Sequence, residues 1–458
     1  MTLLPFALLL IGATLAYFLN RRAAVLLRSG GAKLHSSPGY HGLFAGLSIV
    51  IPVLAITLLW MILDGVVIDR LILSALPAEA FDAGDQGAVS LIMTEIKSLA
   101  GGRVFGEPEP WKQVAADRLN ALNAMSGNLL IAAIAIISFG IFSVRRARLS
   151  PEMRARQGSE RLVHGLMVFC SVVAILTTIG IVSALLFETI KFLNKVPLNE
   201  FLFGLNWEPQ IPIREDQVAA SGAFGWIPVL VGTLVVTVVA LTVAVPTGLF
   251  AAVYLNEFAH RRFRAVAKPV LEILAGVPTV VYGFFAILVI APALRGFGAG
   301  LGFDVAPNSA LAAGAVMGVM LIPFITSFAD DAISSVPRSL RDGALALGST
   351  RGEAMTKVLF PAAIPGIVGG VLLAVSRAIG ETMIVVMAAG LIARLTLNPL
   401  DSVTTVTVQI VTLLIGDTSF DNPKTLAAFA LGMMLFIVTL GINILAIRIV
   451  HKYREAYD

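Results

Sequence analysis

Apolar stretches of about twenty residues recur along this chain of 458 residues, and short polar segments separate them. Wound as an α-helix, a stretch of that length crosses a hydrocarbon core of about 30 Å. Because lipid offers the backbone no hydrogen-bond partners, such runs restrict the chain to membrane-spanning helices. Charged residues make up 14% of the sequence, against about 25% in soluble proteins. The chain is therefore predicted to be an all-α integral membrane protein.

Nine spans are predicted from these runs. They lie near residues 3–19, 43–68, 129–144, 163–186, 226–255, 269–293, 309–328, 364–391 and 425–447. The polar segment at about 69–123 carries more acidic than basic residues, and a helical pattern of apolar residues recurs over Val89–Ala100. An acidic balance is typical of a segment outside the cell membrane.

Basic residues collect on the opposite side of these spans. Six arginines crowd the loop between the third and fourth spans: Arg145, Arg146, Arg148, Arg154, Arg156 and Arg161. Nucleic-acid binding is one interpretation of such a cluster, but its position between two spans favours the positive-inside signal. The predicted topology therefore has the N-terminus outside and the C-terminus in the cytoplasm.

The sequence lacks the common signatures of catalysis. It contains no G-x-x-x-x-G-K-[ST] loop to cradle nucleotide phosphates, no nucleophile elbow and no Cys/His cluster with metal-ligand spacing. No enzymatic activity, cofactor or metal is therefore expected. The single cysteine, Cys170, lies inside a predicted span and is expected to be a buried, inert thiol.

A polar segment at about 329–362 interrupts the apolar pattern, and its first half predicts a short helix. Ser334 and Ser335 are N-cap candidates, and Pro337 suits a first helical turn. Gly343 and Ala344 give this helix a patch of small residues, which a partner's backbone can approach closely. Helical spacing places three residues on one face: Leu340, Ala344 and Leu347.

The second half of this segment predicts a turn and a new helix. Gly348 stands where a helix C-cap glycine belongs. Thr350 and Glu353 form a capping-box pattern that restarts the helix. Pro361 and Pro365 follow, and they are predicted to mark a bend into the next span. The whole segment is thus predicted to be a helical hairpin outside the bilayer.

Two spans are predicted to be broken, one at Pro246 and Gly248 and one at Gly276 and Pro278. Backbone groups freed in lipid need partners, so such breaks face protein or a cavity. A packing kink and the lining of a pathway both remain open interpretations. Tyr282 follows the second break, where its hydroxyl serves a passing anion or its ring simply packs.

Two charges fall near the middle of the predicted span at 364–391. Arg377 and Glu381 are one helical turn apart, so their side chains are expected to meet on one face. Each charge at the centre of a membrane helix costs roughly 2.5–3.5 kcal/mol on insertion scales. A structural ion pair and an anion pathway are the two interpretations of this cost.

The hairpin resembles the cytoplasmic loop of ABC importer permeases, whose motif is EAA, three residues, Gly, nine residues and I-x-L-P. The corresponding positions here are Asp342-Gly343-Ala344, Gly348 and Val358-Leu359-Phe360-Pro361. Asp replaces Glu, Gly replaces Ala, Val replaces Ile and Phe replaces Leu. These changes conserve size or charge, so the register of the motif holds.

Three further segments are similar to phosphate permeases. They are the span containing Gly232-Thr-Leu-Val-Val-Thr and ending near Tyr254–Phe258, the segment Leu271–Phe285, and Arg377-Ala-Ile-Gly-Glu381-Thr-Met383. The ending of the last segment resembles the PstC kind of permease rather than its PstA partner. The resemblance runs from about Arg161 to the C-terminus.

This resemblance implies a six-span type I permease core at 151–458, preceded by an extension of about three spans at 1–150. The implied function is ATP-driven import of inorganic phosphate from the periplasm through the bacterial inner membrane. The implied partners are a homologous PstA-like permease, two ATPase subunits, a periplasmic phosphate-binding protein and membrane lipid, with no nucleic acid.

The resemblance also points to candidate functional residues. Those of the translocation pathway are Arg377, Glu381, Thr382 and Tyr282. Those that couple the permease to an ATPase are Asp342, Gly343, Ala344, Gly348, Glu353 and Pro361.

Alternative functions stay open. Another oxyanion, namely phosphonate, molybdate or sulfate, is the alternative substrate. A secondary transporter or channel that works alone is a different class, but the internal repeat expected of many secondary transporters is not evident. The extension is a scaffold, a docking surface or a regulatory module.

Overall fold

A computed structural model describes residues 3–76, 86–103, 109–209, 222–415 and 422–453. Nine helical segments within these ranges are long and apolar enough to cross a membrane. Each overlaps one predicted span, so the prediction of an all-α membrane protein is confirmed. A short antiparallel pair, β1 (Trp207–Glu208) with β2 (Ala223–Phe224), is the strand structure among the described residues.

The chain divides into two compact units, Met1–Thr177 and Thr178–Asp458. The first unit holds α1 (Leu3–Ser29), α2 (Pro38–Leu73), α3 (Gln86–Ala100), α4 (Pro110–Ala147) and the start of α5 (Ala155–Leu193). Helices α1, α2 and α4 pack around one apolar cluster, which includes Leu9, Ile49, Val53, Leu130 and Ile134. The predicted boundary at residue 150 follows the family resemblance and stays a prediction.

Helices α2 and α4 extend beyond the spans predicted for them. The 38 residues of α4 correspond to about 57 Å at 1.5 Å per residue, well beyond a bilayer core. In the projecting part, α3 packs on α2 and α4 through Ile92, Met93 and Ile96, as the helical pattern in that segment predicts. Residues 77–85 and 104–108 of the predicted external segment lie outside the described residues.

The second unit contains the rest of α5 and twelve further helices. They are α6 (Leu198–Phe203), α7 (Ile227–Val253), α8 (Arg261–Ala275), α9 (Thr279–Phe285), α10 (Ala291–Gly300), α11 (Ala310–Ser334), α12 (Arg338–Ala346), α13 (Arg351–Ala354), α14 (Phe360–Ile379), α15 (Met383–Ala388), α16 (Val406–Leu414) and α17 (Pro423–Tyr453).

The core of this unit lies between α7, α11, α14 and α15. Helix α11 packs closely along α7, since Cβ atoms on Gly314 and Gly318 would overlap Val239 and Val243. Small residues at helix contacts are the usual means of close packing in membranes, where dispersion replaces the hydrophobic effect.

Three helices contain a π-helical turn, in which the hydrogen bonds span five residues instead of four. These turns are Tyr254–Phe258 after α7, Ala286–Ile290 between α9 and α10, and Met355–Leu359 between α13 and α14. Each joins helical segments without interrupting the path of the chain.

The predicted breaks are only partly confirmed. Helix α7 runs through Pro246 and Gly248 without interruption, so the break predicted there is wrong. The break at Gly276 and Pro278 is confirmed, and it ends α8 at Ala275. The span predicted from residue 269 therefore begins at Thr279, because α8 is a separate amphipathic helix that starts among charged residues.

The expected burial of Cys170 is wrong. Its thiol is free and exposed, and no residue in the most apolar 18-residue window of α5 is buried by this chain. The apolar surface of α5 is left for lipid or another subunit to cover, as is normal for a membrane helix with few neighbours.

Candidate functional site

The hairpin at about 329–362 begins later than its predicted caps. Ser334 is the last residue of α11 and Ser335 is its C-cap, so the prediction that they start the next helix is wrong. Pro337 instead occupies the N-cap position of α12. Helix α11 continues to Ser334 because its apolar residues are buried up to Ile333. This tertiary packing outweighs the local preference of serine for an N-cap position.

The turn between α12 and α13 matches the predicted signals. Gly348 has a φ of 90°, in the left-handed region that favours glycine. Its N–H donates to the carbonyl of Leu345 at 3.0 Å, and the N–H of Ser349 donates to that of Ala344 at 3.1 Å. This is the geometry of a glycine-terminated helix.

A capping box starts α13, as predicted. The N–H of Glu353 donates to Thr350 Oγ1 at 3.3 Å, and Glu353 Oε2 accepts the N–H of Thr350 at 3.0 Å. Pro361 then lies in the first turn of α14, directly after the π-helical turn Met355–Leu359.

The hairpin presents one face to the protein and one away from it. Leu340 packs on a cluster formed by α11, the π-helical turn Met355–Leu359 and the start of α14, while Asp342 and Gly343 are exposed. No atom lies within 4 Å of a Cβ built on Gly343. Leu347 is 90% exposed, so the prediction that it shares one helix face with Leu340 and Ala344 is wrong. It follows the end of α12 and turns away with the chain.

A group of ion pairs lies beside the hairpin, and the sequence did not reveal it. Asp330 on α11 is buried and accepts from Arg264 Nη2 and Lys268 Nζ on α8, both at 2.8 Å. Asn256 Nδ2 also donates to this carboxylate, at 2.8 Å. The hydrogen bond to Asp330 raises the pKa of Lys268, which keeps the lysine charged.

A second buried carboxylate is that of Glu257, the residue directly after Asn256. Glu257 Oε1 accepts from Arg341 Nη2 of α12 at 2.9 Å, and its side chain is 2% exposed. The sequence signal was an acidic residue at the end of an apolar helix, but its distant arginine partner cannot be read from spacing.

The predicted span at 364–391 is broken between its two charged residues. Helix α14 ends at Ile379, and Gly380 is its C-cap, so Arg377 lies in the last turn of the helix and its predicted place near the middle of the span is wrong. Glu381 Oε1 accepts the N–H of Met383 at 3.1 Å and caps α15. The carbonyl of Glu381 accepts from Thr407 Oγ1 of α16 at 2.8 Å. A hydrogen bond from a different helix therefore stabilises the break.

Arg377 and Glu381 do not form the predicted pair. Among the described residues, no carboxylate oxygen lies within 4.0 Å of the Arg377 nitrogens. Its guanidinium carbon lies 5.7 Å from the centre of the Phe324 ring, a cation–π distance, and the side chain is exposed. The pair fails because the helix ends between the two residues and Glu381 turns toward α15.

The hydroxyls of Thr382 and Tyr282 are both engaged within the protein. Thr382 Oγ1 donates weakly to the carbonyl of Gly380 at 3.4 Å. Tyr282 is buried, and its hydroxyl donates to the carbonyl of Leu274 at 3.0 Å. In a continuous helix that carbonyl would accept from residue 278, but Pro278 has no N–H. The N–H of Val277 also donates to this carbonyl, at 3.3 Å, so Tyr282 adds a second hydrogen bond at the break beside α8, which favours its packing interpretation.

Chemically, the second unit offers an exposed guanidinium and a hairpin with an exposed outer face, and within the described residues the guanidinium has no ion-pair partner. An unpaired guanidinium binds oxyanions, since its planar fork matches their oxygen atoms. No group of three or more His, Cys, Asp or Glu residues suited to a metal ion occurs in the described part of the chain.

Two protein families match this chain, one in each of its two compact units for the most part. Residues 244–455 match the family described as binding-protein-dependent transport system inner membrane component. Residues 6–177 match a family described as phosphate ATP-binding cassette transporter, so similarity to transporters also covers the N-terminal unit.

Two curated relatives align with much of the chain. The probable ABC transporter permease protein YqgH of Bacillus subtilis is 32% identical over 325 residues, covering 70% of this chain and 97% of its own length. The phosphate transport system permease protein PstC of Mesorhizobium japonicum is 30% identical over 260 residues, covering 52% and 74%.

Among solved structures, the crystal structure of a bacterial alginate ABC transporter covers 66% of this chain and 99% of the matched chain. The identity is 14% and the TM-score is 0.45.

Proposed function

The chain belongs to the inner-membrane permease components of binding-protein-dependent ABC transporters, and we propose that it is the PstC-type subunit of a phosphate importer. It is a multi-pass protein of the inner membrane. Its substrate is inorganic phosphate, moved from the periplasm to the cytoplasm, with the N-terminus outside and the C-terminus inside.

The observation that carries this proposal is that Arg377 is exposed and has no ion-pair partner among the described residues. Charged side chains within membrane spans face a protein interior or a water-filled cavity, because lipid contact is costly. Arg377 is exposed on this chain and has no carboxylate partner among the described residues. We therefore assign it to a pathway completed by another subunit, where the guanidinium attracts the phosphate anion. Glu381 and Thr382 lie at the helix break beside it, and Tyr282 supports that region through packing.

The partners follow from the hairpin. We propose that its exposed face, with Asp342, Gly343 and the tip at Leu347, docks on an ATPase subunit, and that ATP is hydrolysed there. Ala344, Gly348, Glu353 and Pro361 shape the hairpin, since they form its inner face, turn, cap and exit. A complete importer then contains this chain, a homologous PstA-like permease, two ATPases and a periplasmic phosphate-binding protein.

The extension at 1–150 and the permease core at 151–458 are proposed as separate parts of this importer. The family match at 6–177 supports a role for the extension in phosphate transporters. The projecting ends of α2 and α4, with α3 packed on them, offer a surface outside the bilayer.

The test is uptake of labelled phosphate by the complete complex reconstituted in liposomes. Uptake that requires ATP and the binding protein, and that excess phosphonate, molybdate or sulfate leaves unchanged, supports the proposal. Inhibition by one of these oxyanions at concentrations comparable to phosphate assigns the alternative substrate. Uptake by this chain alone, without ATP, would show a secondary transporter.

A further inference from the structure

A buried ion pair ties the hairpin to the end of α7. Arg341 on α12 reaches Glu257 in the π-helical turn Tyr254–Phe258, with 2.9 Å between Nη2 and Oε1. The Glu257 side chain is 2% exposed and that of Arg341 is 36% exposed. The other carboxylate oxygen, Oε2, is buried with no hydrogen-bond partner among the described residues. Glu257 thus depends on Arg341 for its charge compensation.

The residue before Glu257 makes contacts in a different direction. Asn256 Nδ2 donates to Asp330 Oδ1 and to Ser334 Oγ, both at 2.8 Å. Asp330 in turn holds Arg264 and Lys268 of α8. Because successive residues of a helix point in different directions, one turn can bind two partners. Asn256 therefore joins α7 to α11 and α8, while Glu257 joins α7 to α12.

The remaining contacts of α12 with the membrane helices are less directional. Leu340 packs against an apolar cluster that includes Ile333, Val336 and Met355. Apolar burial holds surfaces together but leaves them able to slide or rotate. A charge-assisted hydrogen bond fixes both a distance and an orientation. The Arg341–Glu257 pair is the directional contact between α12 and α7 in the described structure.

We propose that Arg341 and Glu257 are positioning residues that transmit movement of the hairpin to α7, α8 and α11. This inference rests on the proposed function, in which an ATPase moves the hairpin. With the pair intact, displacement of α12 pulls the turn at 254–258 and, through Asn256 and Asp330, the ends of α8 and α11. Without it, the hairpin moves while these helices lag, and ATP is hydrolysed without transport.

A variant that lacks only one partner of the pair cannot separate a loss of coupling from a loss of stability. Arg341→Gln leaves a buried, uncompensated carboxylate, which is strongly destabilising in general. The double variant Arg341→Gln with Glu257→Gln removes both charges, and because glutamine is two atoms shorter than arginine, it also removes the directional contact without leaving an uncompensated carboxylate. The matched control is Lys357→Gln, which breaks an exposed ion pair with Glu353 inside the same hairpin.

The experiment measures phosphate transported per ATP hydrolysed, using the complete importer in liposomes. We expect the double variant to retain bound ATPase and its hydrolysis rate, while phosphate per ATP falls at least about fivefold, a coupling effect of the usual size. Arg341→Lys should give a ratio of phosphate to ATP between that of the double variant and that of the wild type. Lys357→Gln should keep the wild-type ratio.

Two outcomes would overturn the inference. One is a wild-type transport ratio in the double variant. The other is loss of bound ATPase in the double variant, which would place Arg341 in the docking surface instead. Failure of the wild-type complex to carry phosphate is a separate result, because it sinks the proposed function and not the role of the pair.

Discussion

The hairpin and the helix break at Gly380 follow each other along the chain, but different kinds of contact hold them. Short-range hydrogen bonds define the hairpin, from Gly348 to Leu345 and between Thr350 and Glu353. Contacts with distant helices hold the break, since Thr407 of α16 donates to the carbonyl of Glu381. The hairpin can therefore keep its shape while it moves, whereas the break depends on the assembled bundle.

The two regions also differ in what their exposed side chains imply. An exposed leucine such as Leu347 is common on protein surfaces and has little meaning alone. An exposed arginine in a membrane helix is uncommon, because its charge cannot face lipid at low cost. Exposure therefore indicates a function more strongly at Arg377 than at any single residue of the hairpin.

The largest effect is expected from Arg377→Gln. Loss of the cation should lower phosphate uptake by about 100-fold or more, as expected when a charged hydrogen-bond partner is removed from a low-dielectric path. The complex should still assemble and hydrolyse ATP, because Arg377 makes no ion pair among the described residues. Labelled uptake and ATPase assays on the same preparation check this.

Arg295→Gln is the matched control, since Arg295 is likewise an exposed arginine of a span, Thr279–Gly300, but lies on a different helix from the break at Gly380. It should retain uptake. Wild-type uptake by Arg377→Gln, or its failure to assemble, would instead give Arg377 a structural role.

Gly348→Val should have the next largest effect, through docking. A β-branched residue at a φ of 90° is strained by about 1–3 kcal/mol, so the turn of the hairpin should distort. Co-purification of the ATPase and uptake should both fall about tenfold, which corresponds to 1.4 kcal/mol.

Gly302→Val is a control for strain, because Gly302 has a φ of 79° but lies outside the hairpin. ATPase binding should survive in that variant. Equal loss in both variants would show general misfolding rather than a docking defect.

Glu381→Gln should have a moderate effect on release of phosphate. Glutamine can still accept the N–H of Met383, so the cap of α15 should largely persist while the negative charge is lost. The maximal uptake rate should fall about fivefold, and half-saturation should stay unchanged or decrease. Uptake measured over a range of phosphate concentrations separates these quantities; a raised half-saturation alone would point to entry.

Tyr282→Phe should have the smallest effect on transport. It removes one hydrogen bond to the carbonyl of Leu274, so stability should fall by about 1 kcal/mol. Thermal unfolding of the complex should shift slightly, and uptake should stay near the wild-type rate. A large loss of uptake at unchanged stability would make the hydroxyl an anion ligand.

The sequence predicted best those features that neighbouring residues determine. The capping box at Thr350, the glycine turn at Gly348 and the break at Pro278 all depend on a few adjacent residues. The nine apolar runs predicted the spans for the same reason, although polar helix beyond the bilayer hid the true start of α4 at Pro110.

The sequence failed where distant parts of the chain decide the geometry. The pair expected between Arg377 and Glu381 assumed a continuous helix, but α14 ends at Ile379 and α16 supports the break. The ion pair between Glu257 and Arg341 joins two segments that no local pattern relates. Such contacts follow from packing, which sequence spacing alone does not specify.

The π-helical turn Met355–Leu359 accommodates one extra residue between the hairpin and α14. Since a π-turn holds one residue more than the α-helical turn it replaces, deleting one residue there would leave an α-helical turn, and α14 would keep nearly the same orientation. Deleting one residue within α14 itself, between Pro361 and Arg377, would instead turn Arg377 by about 100° about the helix axis. The π-turn is therefore the position in this span where a single-residue gap leaves the direction of the guanidinium unchanged, and single-residue gaps between related permeases should fall there and not within α14.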